Sequence, residues 1–311
     1  MFKRASFIIP ARNEERHIGD CLRAIAALKS PPEIETIVID NGSADRTVEI
    51  ATACGATVLV KPTGSVSFLR NEGVRQSRGD LLAFVDADCV VAEQWLREGI
   101  AALERDGAGA AGNFYTIPDD TGWIGRINDL IHAKKLDGAV TYVPAGNLLV
   151  RRDCFEEIGG FDASLKTSED VDLCRRLKQS GHSLSVNPAM QSVHYGTPST
   201  VGQMFRRELW HGTTMLTVFF RDLVAIRNLR LALYTILNTV LLASLAASLW
   251  PLWHGRLLWS GISLGLYLAL NGAVTVLDWT RIRSHFPGLF AYTIIYGLAR
   301  SASLVRWIIV R

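Results

Sequence analysis

Two stretches without a charged residue constrain this chain more than any other feature in it. Residues 231–250 and 257–277 run for 20 and 21 residues without an Asp, Glu, Lys or Arg. A helix rises about 1.5 Å per residue, so each is long enough to cross the roughly 30 Å of bilayer hydrocarbon. Only six residues, 251–256, join them, which predicts a transmembrane hairpin rather than two buried core helices. A third apolar stretch, 288–310, carries Arg300 and Arg306. That pattern is compatible with a span, a re-entrant segment or an interfacial helix.

Charge divides the chain in the same place. Residues 1–230 hold 27 Lys/Arg against 29 Asp/Glu, whereas residues 231–311 hold 6 basic residues and one acid, Asp278. The expected organisation is therefore a globular catalytic domain over 1–225 followed by a membrane region over 226–311. Arg221, Arg227 and Arg230 precede the first stretch, Arg281 and Arg283 follow the second, and Arg256 alone marks the hairpin tip. By the positive-inside tendency the globular domain faces the cytoplasm from an inner, cytoplasmic membrane. Segment 201–223 alternates Phe205, Leu209, Leu216 and Phe219 with Arg206, Arg207, His211 and Arg221. It suits either an amphipathic helix on a membrane surface or one packed on a core.

No basic stripe interleaved with aromatics occurs in the first 230 residues, so no nucleic-acid partner is expected. The five cysteines, Cys21, Cys54, Cys89, Cys154 and Cys174, are odd in number and form no C-x-x-C pair, which fits a reduced compartment. The apolar run 5–10 is too short for a signal peptide and leads straight into Ala11-Arg12-Asn13-Glu14-Glu15.

Within the front domain, strand-like runs at 6–9, 36–40, 57–60 and 81–85 alternate with helical patterns. Ile18, Cys21, Leu22, Ile25 and Leu28 share one helical face, and further helices are expected near 46–54, 68–76 and 93–104. This order predicts an α/β sheet, with ligands at the carboxyl ends of its strands. Beyond it, a helix over 122–136, a strand at 147–150 and a helix over 168–179 are expected. Gly107-Ala108-Gly109-Ala110-Ala111-Gly112 spells G-x-G-x-x-G. It follows a predicted helix and enters a strand, the reverse of a dinucleotide fingerprint, so nicotinamide chemistry is not expected.

The chemistry concentrates where strands end. Val85-Asp86-Ala87-Asp88 sets two carboxylates just past an apolar strand, where they can offer oxygen ligands to a hard cation such as Mg²⁺ or Mn²⁺. Asp40-Asn41-Gly42-Ser43 ends another strand; an acceptor such as Asp40 suits base N–H or ribose hydroxyl donors, and the same residues favour a tight turn.

Four further stretches accompany the Asp-Ala-Asp in order: Phe7-Ile8-Ile9-Pro10-Ala11-Arg12-Asn13-Glu14-Glu15, Val38-Ile39-Asp40-Asn41-Gly42-Ser43-Ala44-Asp45-Arg46-Thr47, Arg70-Asn71-Glu72-Gly73 and Thr167-Ser168-Glu169-Asp170-Val171-Asp172-Leu173. Over about residues 5–215 the chain thereby resembles glycosyltransferase family 2, and Gly146-Asn147-Leu148-Leu149-Val150-Arg151-Arg152 also fits. The resemblance implies a nucleotide-binding, Rossmann-like A-type glycosyltransferase fold ahead of the membrane helices. It implies a nucleotide-sugar donor, UDP- or GDP-linked, and a divalent metal.

The resemblance also implies roles. Pro10, Ala11 and Glu14 line the nucleobase pocket, with Asp40, Gly42 and Ser43 completing the donor loop. Arg70 contacts the donor or pairs on a helix surface. Asp86 faces the ribose and Asp88 the metal, with Asp86 and His194 as further metal ligands. Glu169 and Asp170 form the catalytic pair and Asp170 is the base of an inverting transfer, although Ser168 followed by acids is also a good helix start. Gly146 and Asn147 lie on the acceptor side. Arg206, Arg207 and Trp210 loosely resemble a Gln-x-x-Arg-Trp element, but Trp210 falls four residues after Arg206 where the element has adjacent residues. They serve either acceptor phosphates or anchoring at the bilayer. A lipid-linked acceptor is the partner this implies, in cell-envelope glycan or glycolipid synthesis. The competing classes are a nucleotidyltransferase, which would release pyrophosphate, and a non-catalytic nucleotide-sugar-binding scaffold.

Overall fold

The computed structural model describes residues 2–28, 32–133, 142–165, 167–212, 226–248, 257–282 and 286–310. They fall into two compact units, Met1–Asp119 with Lys135–Thr197, and Asp120–Lys134 with Pro198–Arg311.

The first unit is built on strands β1 (Arg4–Ala11), β2 (Glu33–Asp40), β3 (Thr57–Val60), β4 (Leu81–Val85), β6 (Ala110–Gly112), β7 (Asn147–Arg151) and β8 (Leu184–Val186), in the order β3-β2-β1-β4-β7-β6-β8. The first four are parallel, as their continuous apolar runs predict, with Phe7 facing Thr36 on one side and Ala83 on the other. β7 runs antiparallel to both β4 and β6. It pairs Asn147 with Val85, so the residue before β7, Gly146, arrives beside the residue after β4, Asp86. Every residue of β4 is buried. One face of the sheet is covered by α1 (Ile18–Ala26) and α4 (Trp95–Asp106), whose Ile18, Leu22, Ile25, Trp95 and Leu96 pack with Phe7, Ile9 and Val85. The other carries α3 (Val66–Gln76), α6 (Arg152–Glu157) and α7 (Glu169–Gln179), which bury Leu69, Phe155, Leu173 and Leu177 against Ile8 and Phe84. The short α2 (Thr47–Ala53) follows the loop after β2.

The G-x-G-x-x-G decoy resolves as expected: Gly107 caps the end of α4 in a left-handed conformation (φ 57°), and Ala110–Gly112 is β6. A separate two-stranded sheet pairs β5 (Cys89–Val91) antiparallel with β9 (Ser192–His194), placing Cys89 opposite His194.

The second unit is helical and draws on two stretches of the chain. Helices α5 (Trp123–Ala133) and α8 (Val201–Gly212) group with α9 (Ile226–Ser248), α10 (Leu257–Ile282) and α11 (Phe286–Val310). The physical reason is an apolar cluster of Ile124, Ile127, Met204, Leu289 and Tyr292, which gives the apolar faces of α5 and α8 a partner in α11. Tyr292 Oη also donates to Asn128 Oδ1 (3.1 Å), and Arg300 pairs with Glu208 (2.8 Å). Segments 213–225 and 249–256, with the hairpin tip, lie outside the described residues.

Residues Arg230–Ser248, Trp259–Thr280 and Phe286–Ile309 are long and apolar enough to cross a membrane, with mean hydropathies of 1.7, 1.5 and 1.3. The third stretch is thus one continuous helix of 25 residues rather than a re-entrant pair. Polar side chains stitch the three together. Tyr234 Oη donates to Asn271 Oδ1 (2.8 Å), Asn271 Nδ2 to Asn238 Oδ1 (3.1 Å), and Thr275 Oγ1 to Thr293 Oγ1 (3.2 Å). Between helices in hydrocarbon, small and hydrogen-bonding residues are the usual means of association.

Candidate functional site

The carboxyl ends of β1, β2 and β4 converge, and the loops after β1 and β2 are laced to each other. Asn13 adopts φ 56°, its N–H donates to Ser43 Oγ (2.9 Å), and Ala44 N–H returns a bond to its Oδ1 (2.8 Å). Glu14 N–H donates to Thr47 Oγ1 (2.7 Å). Asp40 is buried, and one of its oxygens accepts the N–H groups of Gly42 and Ser43 (3.0 Å each) while the other takes the Ser43 hydroxyl. Asp40 and Ser43 therefore shape this loop as turn residues, with Gly42 at φ 71° supplying the left-handed step. Pro10 and Ala11 close β1 beside Ile39 and Asp40 in register.

Asp86 is held from three sides. Arg70, on α3, is 3% exposed; it donates through Nη2 to Asp86 Oδ1 and through Nη1 to Glu169 Oε1, both at 2.7 Å. Tyr115 Oη donates to Asp86 Oδ2 (3.1 Å). On the third side a Cβ at Gly146 would overlap both Asp86 Oδ2 and Tyr115 Oη, so only glycine fits there. The buried guanidinium of Arg70 thus pairs with two carboxylates, one through each terminal nitrogen. Burial and the Asp86 charge push the Tyr115 phenol well above its ordinary value, which keeps it a donor. Asn147 is also fully buried. It accepts Trp95 Nε1–H (2.5 Å) and donates to the carbonyls of Asn113 (3.0 Å) and Met190 (3.2 Å), which leaves its amide a structural task under the site.

Asp88 faces His194, whose Nε2 lies 3.5 Å from Asp88 Oδ2, because β5 and β9 pair Cys89 with His194. Gly196 has no room for a Cβ beside Asp88 Oδ2. Asp86, Asp88, Cys89 and His194 each offer a ligand atom, all within 4.8 Å of one another. Burial and the neighbouring Asp86 raise the Asp88 carboxyl above its usual range, partly offset by His194. Two converging carboxylates and an imidazole suit a divalent cation such as Mn²⁺, which would relieve that penalty. The Cys89 thiol belongs to the apolar core and burial holds it protonated, so the fitting set is Asp86, Asp88 and His194. Burial and the carboxylates of Asp88, Asp45 and Asp86 push Glu14 up to about 7.

Asp170 opens α7 next to Glu169. Burial, then the Glu169 charge, raises it to about 7, against the lowering pull of Val171 N–H (2.8 Å) and Arg70. Ser168 sits at the N-cap position of α7 at φ 62° without a side-chain cap bond, and Glu169, Asp170 and Asp172 fill the first turn, so the stretch is also the helix start that the sequence suggested. Arg206, Arg207 and Trp210 sit on α8 in the second unit, Arg206 and Trp210 exposed and Arg207 half-buried. Tyr115 had no signal in the sequence, since only the pairing of its neighbour Thr116 with Val193 brings it to the site.

Residues 6–159 match the family model described as Glycosyl transferase family 2; Glu169, Asp170 and His194 lie beyond that match. Among curated proteins, the chain is 29% identical over 234 residues to glycosyltransferase AglE of Haloferax volcanii, covering 72% of this chain and 76% of that one. It is 25% identical over 201 residues to the pre-mycofactocin glycosyltransferase of Mycobacterium tuberculosis, covering 60% of this chain and 42% of that one. Among solved structures it resembles mannosyltransferase PcManGT of Pyrobaculum calidifontis, in complex with GDP-Man and Mn²⁺, with a TM-score of 0.62 at 19% identity, covering 96% and 87% of the two chains. It also resembles residues 1–349 of S. aureus TarS in complex with UDP-GlcNAc, with a TM-score of 0.54 at 16% identity, covering 98% and 92%.

Proposed function

The chain belongs to glycosyltransferase family 2 and is a glycosyltransferase of the A-type fold, and from that premise we propose a metal-dependent, inverting transfer from a nucleotide-sugar to a lipid-linked acceptor. The observation that carries the reading is that the buried side chain of Arg70 bonds both Asp86, in the candidate cation group, and Glu169, the neighbour of the raised carboxyl of Asp170. Residues at the ends of β1 and β2 would seat the nucleoside. A divalent cation at Asp86, Asp88 and His194 would neutralise the donor diphosphate and make it a better leaving group. Asp170 takes the proton of the acceptor hydroxyl. That oxygen forms its bond to the anomeric carbon as the bond from that carbon to the diphosphate oxygen breaks, and a single in-line displacement inverts the configuration. GDP-mannose and UDP-GlcNAc, bound by the two structural neighbours, are the first donors to try.

The test is a screen of nucleotide sugars with the full chain purified in detergent. Nucleoside diphosphate should appear with Mn²⁺ or Mg²⁺, disappear in chelator, and fail to appear in Asp88→Ala under either condition. Released pyrophosphate would instead make the enzyme a nucleotidyltransferase, and full turnover in chelator would end the metal reading.

Support for a lipid-linked acceptor comes from the three apolar helices carried by the same chain. The proposed location is the inner membrane with the catalytic unit on the cytoplasmic side, as the flanking arginines indicate. Polyprenyl phosphate in phospholipid vesicles should accept sugar from the identified donor. Equal rates on a short water-soluble analogue would reduce the helices to an anchor.

A further inference from the structure

Tyr115 lies outside the five sequence stretches that carry the family resemblance, yet it touches two members of the cation-binding group at once. Its Oη donates to Asp86 Oδ2 (3.1 Å), and its ring stacks on the His194 imidazole with centroids 4.8 Å apart and planes 27° from parallel. The backbone is built to hold it there. Thr116, the next residue, donates its N–H to Ser192 O and accepts His194 N–H, both at 2.9 Å, so Tyr115 rides beside the strand that carries His194. Gly146 leaves the space in which Tyr115 Oη and Asp86 Oδ2 meet. With Arg70 on Asp86 Oδ1, both oxygens of this carboxylate are oriented before any ligand arrives. His194 is fixed as well: its ring lies against Tyr115, and its Nδ1 is 3.2 Å from Thr197 Oγ1, which leaves Nε2 directed at Asp88.

We propose that Tyr115 is a positioning residue for the divalent cation, setting the Asp86 carboxylate through its hydroxyl and the His194 ring through stacking. This rests on the metal-dependent reading above. Partners of metal ligands fix ligand orientation, and losing one typically costs 10–100-fold in affinity. Two ligands supplied from sites more than a hundred residues apart in sequence are thereby tied to one side chain, which the loop after β6 delivers.

The test is a Mn²⁺ titration of the purified full chain without donor, followed by the electron paramagnetic resonance signal of the free ion. Tyr115→Phe keeps the ring and its stacking, so its fold should be retained while the dissociation constant for Mn²⁺ rises about tenfold. Tyr115→Leu, which also removes the ring, should raise it further. In an Asp86→Asn background the effect of Tyr115→Phe should vanish, because the hydroxyl then has no carboxylate to orient; a general packing defect would persist there. Wild-type Mn²⁺ affinity in Tyr115→Phe, or an undiminished effect in the Asp86→Asn background, would overturn the assignment. Absence of Mn²⁺ uptake by the wild-type chain would overturn the metal reading and the proposal together, so the two failures are told apart by the wild-type curve.

Discussion

Asp170→Asn should lower sugar transfer about 10²–10⁴-fold, the scale of a lost general base, while donor affinity stays at the wild-type level. Asparagine is nearly the same size and keeps a side-chain oxygen for the Val171 N–H, but it cannot take a proton from the acceptor. The pH profile gives a second reading of the same residue. Burial and Glu169 raise the Asp170 carboxyl to about 7. A raised carboxyl holds its proton to higher pH, so the base form is scarce below that value and predominates above it. Transfer should therefore climb from about pH 6 to about pH 8 and then level off, and the climb should be missing in Asp170→Asn. A variant that turns over normally, or that loses donor binding alone, would remove Asp170 from this role.

Arg70→Met should produce the largest combined loss of stability and activity. The guanidinium is 3% exposed and pairs with Asp86 and Glu169 at 2.7 Å each. Removing one partner of a buried ion pair costs about 3–5 kcal/mol, because Asp86 and Glu169 would lose their counter-ion while staying largely shielded from water. In a domain of this size that is a fall in Tm of roughly 6–20 °C. Two repelling carboxylates would also splay the cation-binding group away from Asp170, and transfer should fall with the stability. Arg70→Lys should rescue little, since one ammonium cannot reach two carboxylates in the planar fork that arginine offers. Thermal melting and turnover of the three proteins decide the matter. Wild-type melting in Arg70→Met would show that the two ion pairs contribute nothing to the fold.

The parts of this architecture legible in the sequence are those fixed by local pattern. The apolar run before Asp86 is β4 to the residue, and Gly107 ends its helix where the decoy motif had argued against a nucleotide loop. His194 was legible only through resemblance, because its approach to Asp88 depends on an antiparallel pairing with β5 across the chain. Long-range pairing also hid Tyr115, since no feature of Asn113-Phe114-Tyr115-Thr116 announces the strand it joins. Arg70 was expected at the donor or on a helix surface, and its burial between two acids follows from how α3 and α7 meet the same end of the sheet. The expected boundary at residue 225 rests on charge density, which falls where the apolar helices begin. The amphipathic faces of α5 and α8 do not encode their partner, which the apolar cluster with Leu289 and Tyr292 supplies.

The pairing of β5 with β9 has a consequence for how the enzyme is made. Synthesis runs from the amino terminus, and domains fold in that order as the chain emerges. A nascent chain that has displayed β1 to β4 and the residues just after it already carries Asp86 and Asp88, but the third residue of the candidate cation group arrives only with His194, and the partner of Arg70 on α7 only with Glu169. A product ending before α7 has one of the two carboxylates that Arg70 pairs with, Asp86, and lacks the other, Glu169. His194, the last residue of the candidate cation group, is made before the first of the apolar helices, α9, which begins at Ile226. The residues of the candidate cation group are therefore all synthesised before the three apolar helices.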